Sequence, residues 1–255
     1  MNTKIFLLAV LAFSITLFSC KKDSDTTEAA KPFIQKTTLE DQSYFLYQYD
    51  GTRLVKITST DGSYTTLDYS TTTVTAKEYS VDNVQGNSQM FTLNSQGYAI
   101  SSVTTPGKKK NLSSKSILPI AIAQFSILSP TITYEYNSDG YMTKAIYGDA
   151  SNQEVITYTI SNGNHVGYSD AAGGQTSTST SQFYLDKTNT VGSENMGIAF
   201  FGKQDKNLIQ SVTDTYSGSP VMHSYSYQYD TQNRVVSTTI TTSGFNTTST
   251  AYSYK

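Results

Sequence analysis

Very few side chains in this sequence are suited to demanding chemistry. Among 255 residues there is one cysteine, Cys20, and two histidines, His165 and His223. Metal binding and general-base catalysis usually draw on clustered imidazoles, thiolates and carboxylates. His165 stands beside Asn162, Gly163 and Asn164, a turn signal, and His223 begins a tyrosine-rich strand; both are expected on a surface or strand face. No G-x-S-x-G elbow, phosphate loop, complete EF-hand loop or H-E-x-x-H pair occurs. Asn137, Asp139 and Gly140 imitate the start of a calcium loop, but the later glutamate ligand is missing and a turn accounts for them. A carboxylate pair assembled across strands stays open to a single sequence. The expectation is a non-enzyme with no catalytic residue, no metal and no cofactor.

The lone cysteine instead points to export. Lys4 precedes an apolar run from Ile5 to Phe18, broken by Ser14 and Thr16, and Lys21, Lys22, Asp23, Ser24 and Asp25 follow Cys20 directly. A run of about 14 residues falls short of the roughly 20 that cross a bilayer as a helix, and the three-part order is that of a secretory signal. Leu17-Phe18-Ser19-Cys20 resembles the bacterial lipobox, with leucine at −3 and a small residue at −1; Phe18 is bulkier than usual at −2. The resemblance implies cleavage before Cys20 and acylation there with palmitate-type chains. Several such chains anchor a protein stably to a membrane. One cysteine also leaves no internal disulfide to form.

The expected division is a signal peptide over 1–19, an acylated cysteine and flexible tether over 20–36, and one β-domain over 37–255. The tether carries both signs of charge with Pro32 and no period. Its first residues resemble acidic surface-export signals of some Gram-negative lipoproteins. An outer-membrane, lipid-anchored location follows, with the periplasmic and cell-surface sides left open.

Net charge of −2 provides no field for nucleic acid. Lys108-Lys109-Lys110, after Pro106 and Gly107, reads as a solvated loop. Twenty tyrosines, no tryptophan and a hydrophobic fraction of 37% describe a lean core. Tyrosine joins a large apolar ring to a polar tip and suits a sheet face that stays partly wet.

One unit recurs: Tyr47, Tyr49, Asp50, Arg53, Leu54; Phe91, Leu93, Asn94, Gly97, Tyr98; Tyr134, Tyr136, Asn137, Gly140, Tyr141; and Tyr227, Tyr229, Asp230, Asn233, Arg234. Alternating aromatics, a turn of Asp, Asn and Gly, and a second alternating run predict β-hairpins. Gly97, Gly140 and Asn233 suit the left-handed position of a three-residue turn with a bulge, and Gly51 opens a two-residue turn. Asp50 should then face Arg53, Tyr49 face Leu54, Tyr136 face Met142, and Tyr229 face Val235. Further strands are expected at Tyr64–Tyr69, Thr72–Tyr79, Val155–Ile160 and Ile209–Tyr216, with a loop over Ser169–Ser181.

These units resemble the YD repeats of Rhs- and teneurin-type β-shells, and more closely a family of uncharacterised Gram-negative envelope lipoproteins with degenerate YD-like hairpins. The resemblance implies fold and location only. The fold class expected is all-β: an antiparallel meander of roughly 12–15 short strands, forming a large twisted, curled sheet, open or half-barrel, with one short apolar helix or plug. Ile117–Leu128 is the candidate plug, framed by Pro119 and Pro130, with Ile120, Ile122, Phe125 and Leu128 as its contact residues. The functional expectation is a non-catalytic outer-membrane or cell-surface lipoprotein that binds a partner protein or supports a surface assembly. A glycan- or nutrient-binding module and a lipid or hydrophobe carrier are the alternatives.

Overall fold

A computed structural model describes residues 33–107, 131–149, 153–216, 219–245 and 247–255. They belong to one compact unit, Pro32–Lys255. Sixteen strands follow in chain order: β1 (Ile34–Leu39), β2 (Tyr44–Asp50), β3 (Arg53–Ser59), β4 (Tyr64–Tyr69), β5 (Thr73–Tyr79), β6 (Gln85–Leu93), β7 (Ala99–Thr105) and β8 (Thr131–Tyr136). They continue as β9 (Met142–Tyr147), β10 (Glu154–Ser161), β11 (Asn164–Ala172), β12 (Gln175–Thr188), β13 (Asn207–Tyr216), β14 (Ser219–Tyr229), β15 (Val235–Thr242) and β16 (Thr247–Tyr254). Each pairs antiparallel with its chain neighbour, and β16 pairs with β1, closing a barrel.

Closure corrects the expected open or half-barrel sheet. Thr37 lies opposite Tyr252 and Leu39 opposite Thr250, so the two ends of the domain supply each other's missing partner. Unpaired edge groups are thereby removed. Alternation within a strand tells which face is buried, but no local pattern encodes a pairing between first and last strands. Ile34, Gln35 and Lys36, placed in the tether from composition, are the opening residues of β1. Ser169–Ser181 is not a loop either. Gly173 and Gly174, at φ 55° and 80°, supply the two left-handed residues of a tight hairpin between β11 and β12.

The repeated hairpins adopt the expected register. Asp50 faces Arg53 and Tyr49 faces Leu54; Tyr136 faces Met142; Tyr229 faces Val235. In three of them the residue after the first strand holds the turn through its side chain. Asn94 Oδ1 accepts from the backbone N–H groups of Gln96 and Tyr98, Asn137 Oδ1 from Asp139 and Tyr141, and Asp230 Oδ1 from Gln232 and Arg234. Because the meander is antiparallel, all these turns lie on one rim, together with the β12–β13 connection.

Alternation also fixes what faces in and out. Tyr47, Leu54, Ile57, Leu67, Val74, Phe91, Ile132 and Tyr134 point inward and are buried. Their polar tips find interior partners: Tyr47 Oη donates to Thr37 Oγ1 at 3.1 Å, and Ser102 Oγ lies 3.0 Å from Tyr134 Oη and accepts from Gln89 Nε2 at 3.1 Å. The outward positions read Thr176, Thr178, Thr180 on β12, Ser224, Ser226, Gln228 on β14, and Ser249, Ala251, Ser253 on β16. Outward charges pair across strands, Lys77 with Asp68 at 2.7 Å and Lys144 with Glu135 at 3.3 Å. On β12, β14 and β16 the outside is largely a hydroxyl surface, whereas Leu46, Met90, Ile100, Val103 and Met222 are apolar side chains exposed on β2, β6, β7 and β14; the buried apolar side chains face inside.

Candidate functional site at the capped rim

A barrel of 16 strands is wide enough to leave a channel. Here the β12–β13 connection, residues 189–206, folds across the rim that carries the repeated turns. It bonds to those turns in sequence. Leu54 N–H donates to Gly197 O at 3.3 Å, Ala99 N–H to Phe200 O at 2.7 Å, Lys203 N–H to Gly140 O at 2.8 Å, and Lys206 N–H to Gly163 O at 3.0 Å. Val235 N–H donates to Thr190 Oγ1 at 3.0 Å. The approach is close enough to require glycine. A Cβ on Gly197 (φ 71°) would meet Leu54 N at 2.8 Å, and one on Gly202 (φ 79°) would meet Gly140 O at 2.4 Å.

Ile198, Phe200 and Phe201 carry this segment into the core. Phe91 packs at 5.2 Å from Phe200 and 5.3 Å, edge-on, from Phe201; Tyr134 meets Phe201 at 5.8 Å. Such pairs add about 0.5–1.5 kcal/mol beyond the area they bury. His165, expected on a surface or strand face, lies on β11 and locks the end of the segment. Its Nδ1 is 2.7 Å from Asp205 Oδ1 and its Nε2 3.2 Å from Met142 O, with Tyr141 and Tyr158 edge-on to the ring. The observed plug is therefore the Phe200 segment. The expected one, Ile117–Leu128 with Ile120, Ile122, Phe125 and Leu128, lies outside the described residues, as does Cys20.

The capping segment bonds the turns on either side of the β4–β5 turn but makes no backbone bond to that turn. A cleft of about 700 Å³ opens there. Val74, Leu93 and Phe200 form its floor, Tyr69 and Tyr98 supply aromatic faces, and Arg53, Ser70 and Gln96 ring its edge. The Arg53 guanidinium stands over the Tyr69 ring, 5.4 Å from its centroid. Tyr69 Oη is buried without a hydrogen-bond partner. Burial pushes its pKa up to about 12, against the opposing pull of Arg53.

A second polar constellation lines the interior towards the opposite rim. His223 Nε2 is 3.2 Å from Asp214 Oδ2 and its Nδ1 2.9 Å from Thr242 Oγ1, while Tyr168 Oη donates to Asp214 Oδ1 at 3.4 Å. Nearby on β10 and β11, burial raises the pKa values of Glu154 and Asp170, and Asp170 raises Glu154 further. The spacing joins β11, β13, β14 and β15 through one acid and one imidazole. Among the described residues no group of three or more histidine, cysteine or acidic side chains is placed to hold a metal ion.

Comparison with protein-family models and with curated protein sequences gives no match. Solved structures do match in fold. A porin-like protein from Bacteroides uniformis is 18% identical with a TM-score of 0.58, over 87% of this chain and 98% of that one. A porin-like protein from Bacteroides vulgatus is 12% identical with a TM-score of 0.55, over 88% and 99% respectively. The chain thus has the closed antiparallel barrel architecture of these porin-like proteins.

Proposed function

We propose that this chain is a non-catalytic envelope lipoprotein, anchored to the outer membrane through acylated Cys20, whose capped barrel stands outside the bilayer and binds a partner at its exposed surface. The outward face carries the argument. A barrel that spans a membrane presents an apolar band about 25 Å tall, flanked by aromatic girdles. Thr176, Thr178, Thr180, Ser224, Ser226 and Gln228 present hydroxyls and amides instead, the exposed apolar side chains Leu46, Met90, Ile100, Val103 and Met222 are spread over β2, β6, β7 and β14, and the largest buried aromatics, Tyr47, Phe91 and Tyr134, face inside. No helix among the described residues is long and apolar enough to cross a membrane, and for strands the outward side chains are what bears on the question.

The aromatic fill behind the cap argues against conduction and against the lipid-carrier alternative. The rim cleft favours a second form of the reading, a module for a small polar nutrient or glycan. Triton X-114 partition tests the anchor. The full chain should enter the detergent phase and a Cys20→Ala chain the aqueous phase, still folded. A Cys20→Ala barrel that stays in the detergent phase would contradict the proposal.

A further inference from the structure

We infer that the rim cleft between the β4–β5 turn and the capping segment binds a carboxylate-bearing saccharide, of the uronic acid class, with Arg53 as the residue that reads the carboxylate. The inference rests on the reading of this barrel as a binding protein and names the ligand of its exposed cleft.

The first support is a contrast within the repeat. Arg53 and Arg234 occupy the same place in their units, each after a turn that begins with aspartate. Arg234 is committed: its Nε donates to Asp230 Oδ2 at 2.7 Å and its guanidinium lies 4.6 Å from the Tyr254 ring. Arg53 has Asp50 as its strand partner, yet among the described residues no carboxylate pairs with it. Its fork is free to engage an anion, and a planar carboxylate fits that fork through two parallel hydrogen bonds.

The second support is the unspent polar capacity of the cleft. Tyr69 Oη is buried and unpartnered, an arrangement that ordinary interiors avoid. Ser70, Thr71 and Gln96 add a hydroxyl and amide edge, and no acidic side chain is among the lining residues. The third support is shape. Phe200 and Tyr69 stand edge to face at 6.4 Å over an aliphatic floor of Val74 and Leu93. A pyranose ring has an apolar face for such a floor, a ring of hydroxyls for the edge, and in a uronic acid one carboxylate for Arg53. A phosphate dianion would leave the apolar floor uncovered, and an aliphatic acid would leave Tyr69 Oη and the amide edge unpaired.

Calorimetric titration of the full chain in detergent micelles with methyl β-D-glucuronide and methyl β-D-glucoside tests this. A charge-assisted pair contributes enough that the glucuronide should bind about 10-fold tighter. Arg53→Gln should erase that preference, bringing glucuronide affinity down to that of the glucoside, and Tyr69→Phe should weaken both sugars with the preference kept. Equal binding of the two sugars by the unaltered chain, no binding of either, or a preference that survives in a folded Arg53→Gln chain would overturn the assignment. Glucose 6-phosphate binding as tightly as the glucuronide would equally overturn it. None of these failures touches the lipid anchor, which detergent partition tests separately.

Discussion

The two ends of this barrel close their interiors by different physics. At the capped rim, the repeated turns present ordered backbone groups, and a single segment from 189 to 206 satisfies them in turn while driving Ile198, Phe200 and Phe201 into the core. Towards the opposite rim the interior is lined by Tyr168, Asp214, His223 and Thr242, linked mainly by hydrogen bonds, with Tyr168 also edge-on to Tyr158. Turn chemistry differs as well. The Asp41 and Asp61 carboxylates at the opposite rim each accept from a serine two residues on, whereas the capped rim uses Asn94, Asn137 and Asp230 to hold wider turns. One strand pattern can therefore support both a rigid end and a wetter one, depending on what the connections carry.

That contrast predicts unequal sensitivity. Phe91→Ala empties a fully buried site against both plug phenylalanines and should cost about 3–5 kcal/mol. Val221→Ala, half-buried on β14 towards the opposite rim, should cost about 1 kcal/mol or less. Urea melts of the two variants would measure the difference, and equal losses would show that the two ends are held alike.

Glycines give the next largest effect. Gly202→Ala adds a Cβ against Gly140 O at a left-handed backbone position and should cost about 2 kcal/mol or more. Gly174→Ala meets nothing within 4 Å, so only the strain of positive φ remains, about 1 kcal/mol. Melting temperatures of the pair would sharpen the distinction between close approach and turn geometry.

The smallest effect is one of pH. Burial raises the folded-state pKa values of Glu154 and Asp170, so the native state holds their protons more tightly than the unfolded chain does. Stability from these groups is complete below their unfolded values and is lost as pH rises through the folded ones. Asp61 and Asp230 act oppositely. The Ser63 hydroxyl holds Asp61 low and the Arg234 backbone N–H holds Asp230 low, so their contribution is lost as pH falls through the folded values. Asp170→Asn should thus raise the melting temperature at pH 7, with the gain disappearing near pH 4. A gain that persists there would show that the carboxylate's charge is not the cause.

Much of this was legible in the residues. The hairpin register at Tyr49, Tyr136 and Tyr229 followed from turn residues and alternation, because both act over a few positions. Strand Tyr64–Tyr69 matched its expected bounds. Three features were not legible, each for a long-range reason. Barrel closure depends on pairing between β1 and β16. The cap depends on Phe200-Phe201 meeting turns far away in sequence; their neighbouring Gly197 and Gly202 were a usable signal, since glycines flanking an apolar pair mark a close backbone approach. The cleft depends on a turn that the cap passes without bonding, which leaves Arg53 free where Arg234 is paired. Ser169–Ser181 was misread because threonine- and serine-rich strands resemble loops in composition, although Gly173-Gly174 between alternating runs is a hairpin signal.

On the proposed reading the barrel's outer wall meets water and not lipid. Spin labels at Thr157→Cys, Thr178→Cys and Ser226→Cys, all exposed and outward on β10, β12 and β14, report this in the full chain, with the proposed Cys20 anchor, reconstituted into liposomes. Collision with a water-soluble nickel chelate should be high at all three sites and collision with oxygen unremarkable. Labels shielded from the chelate and rich in oxygen contact would place the wall in the bilayer and contradict the account.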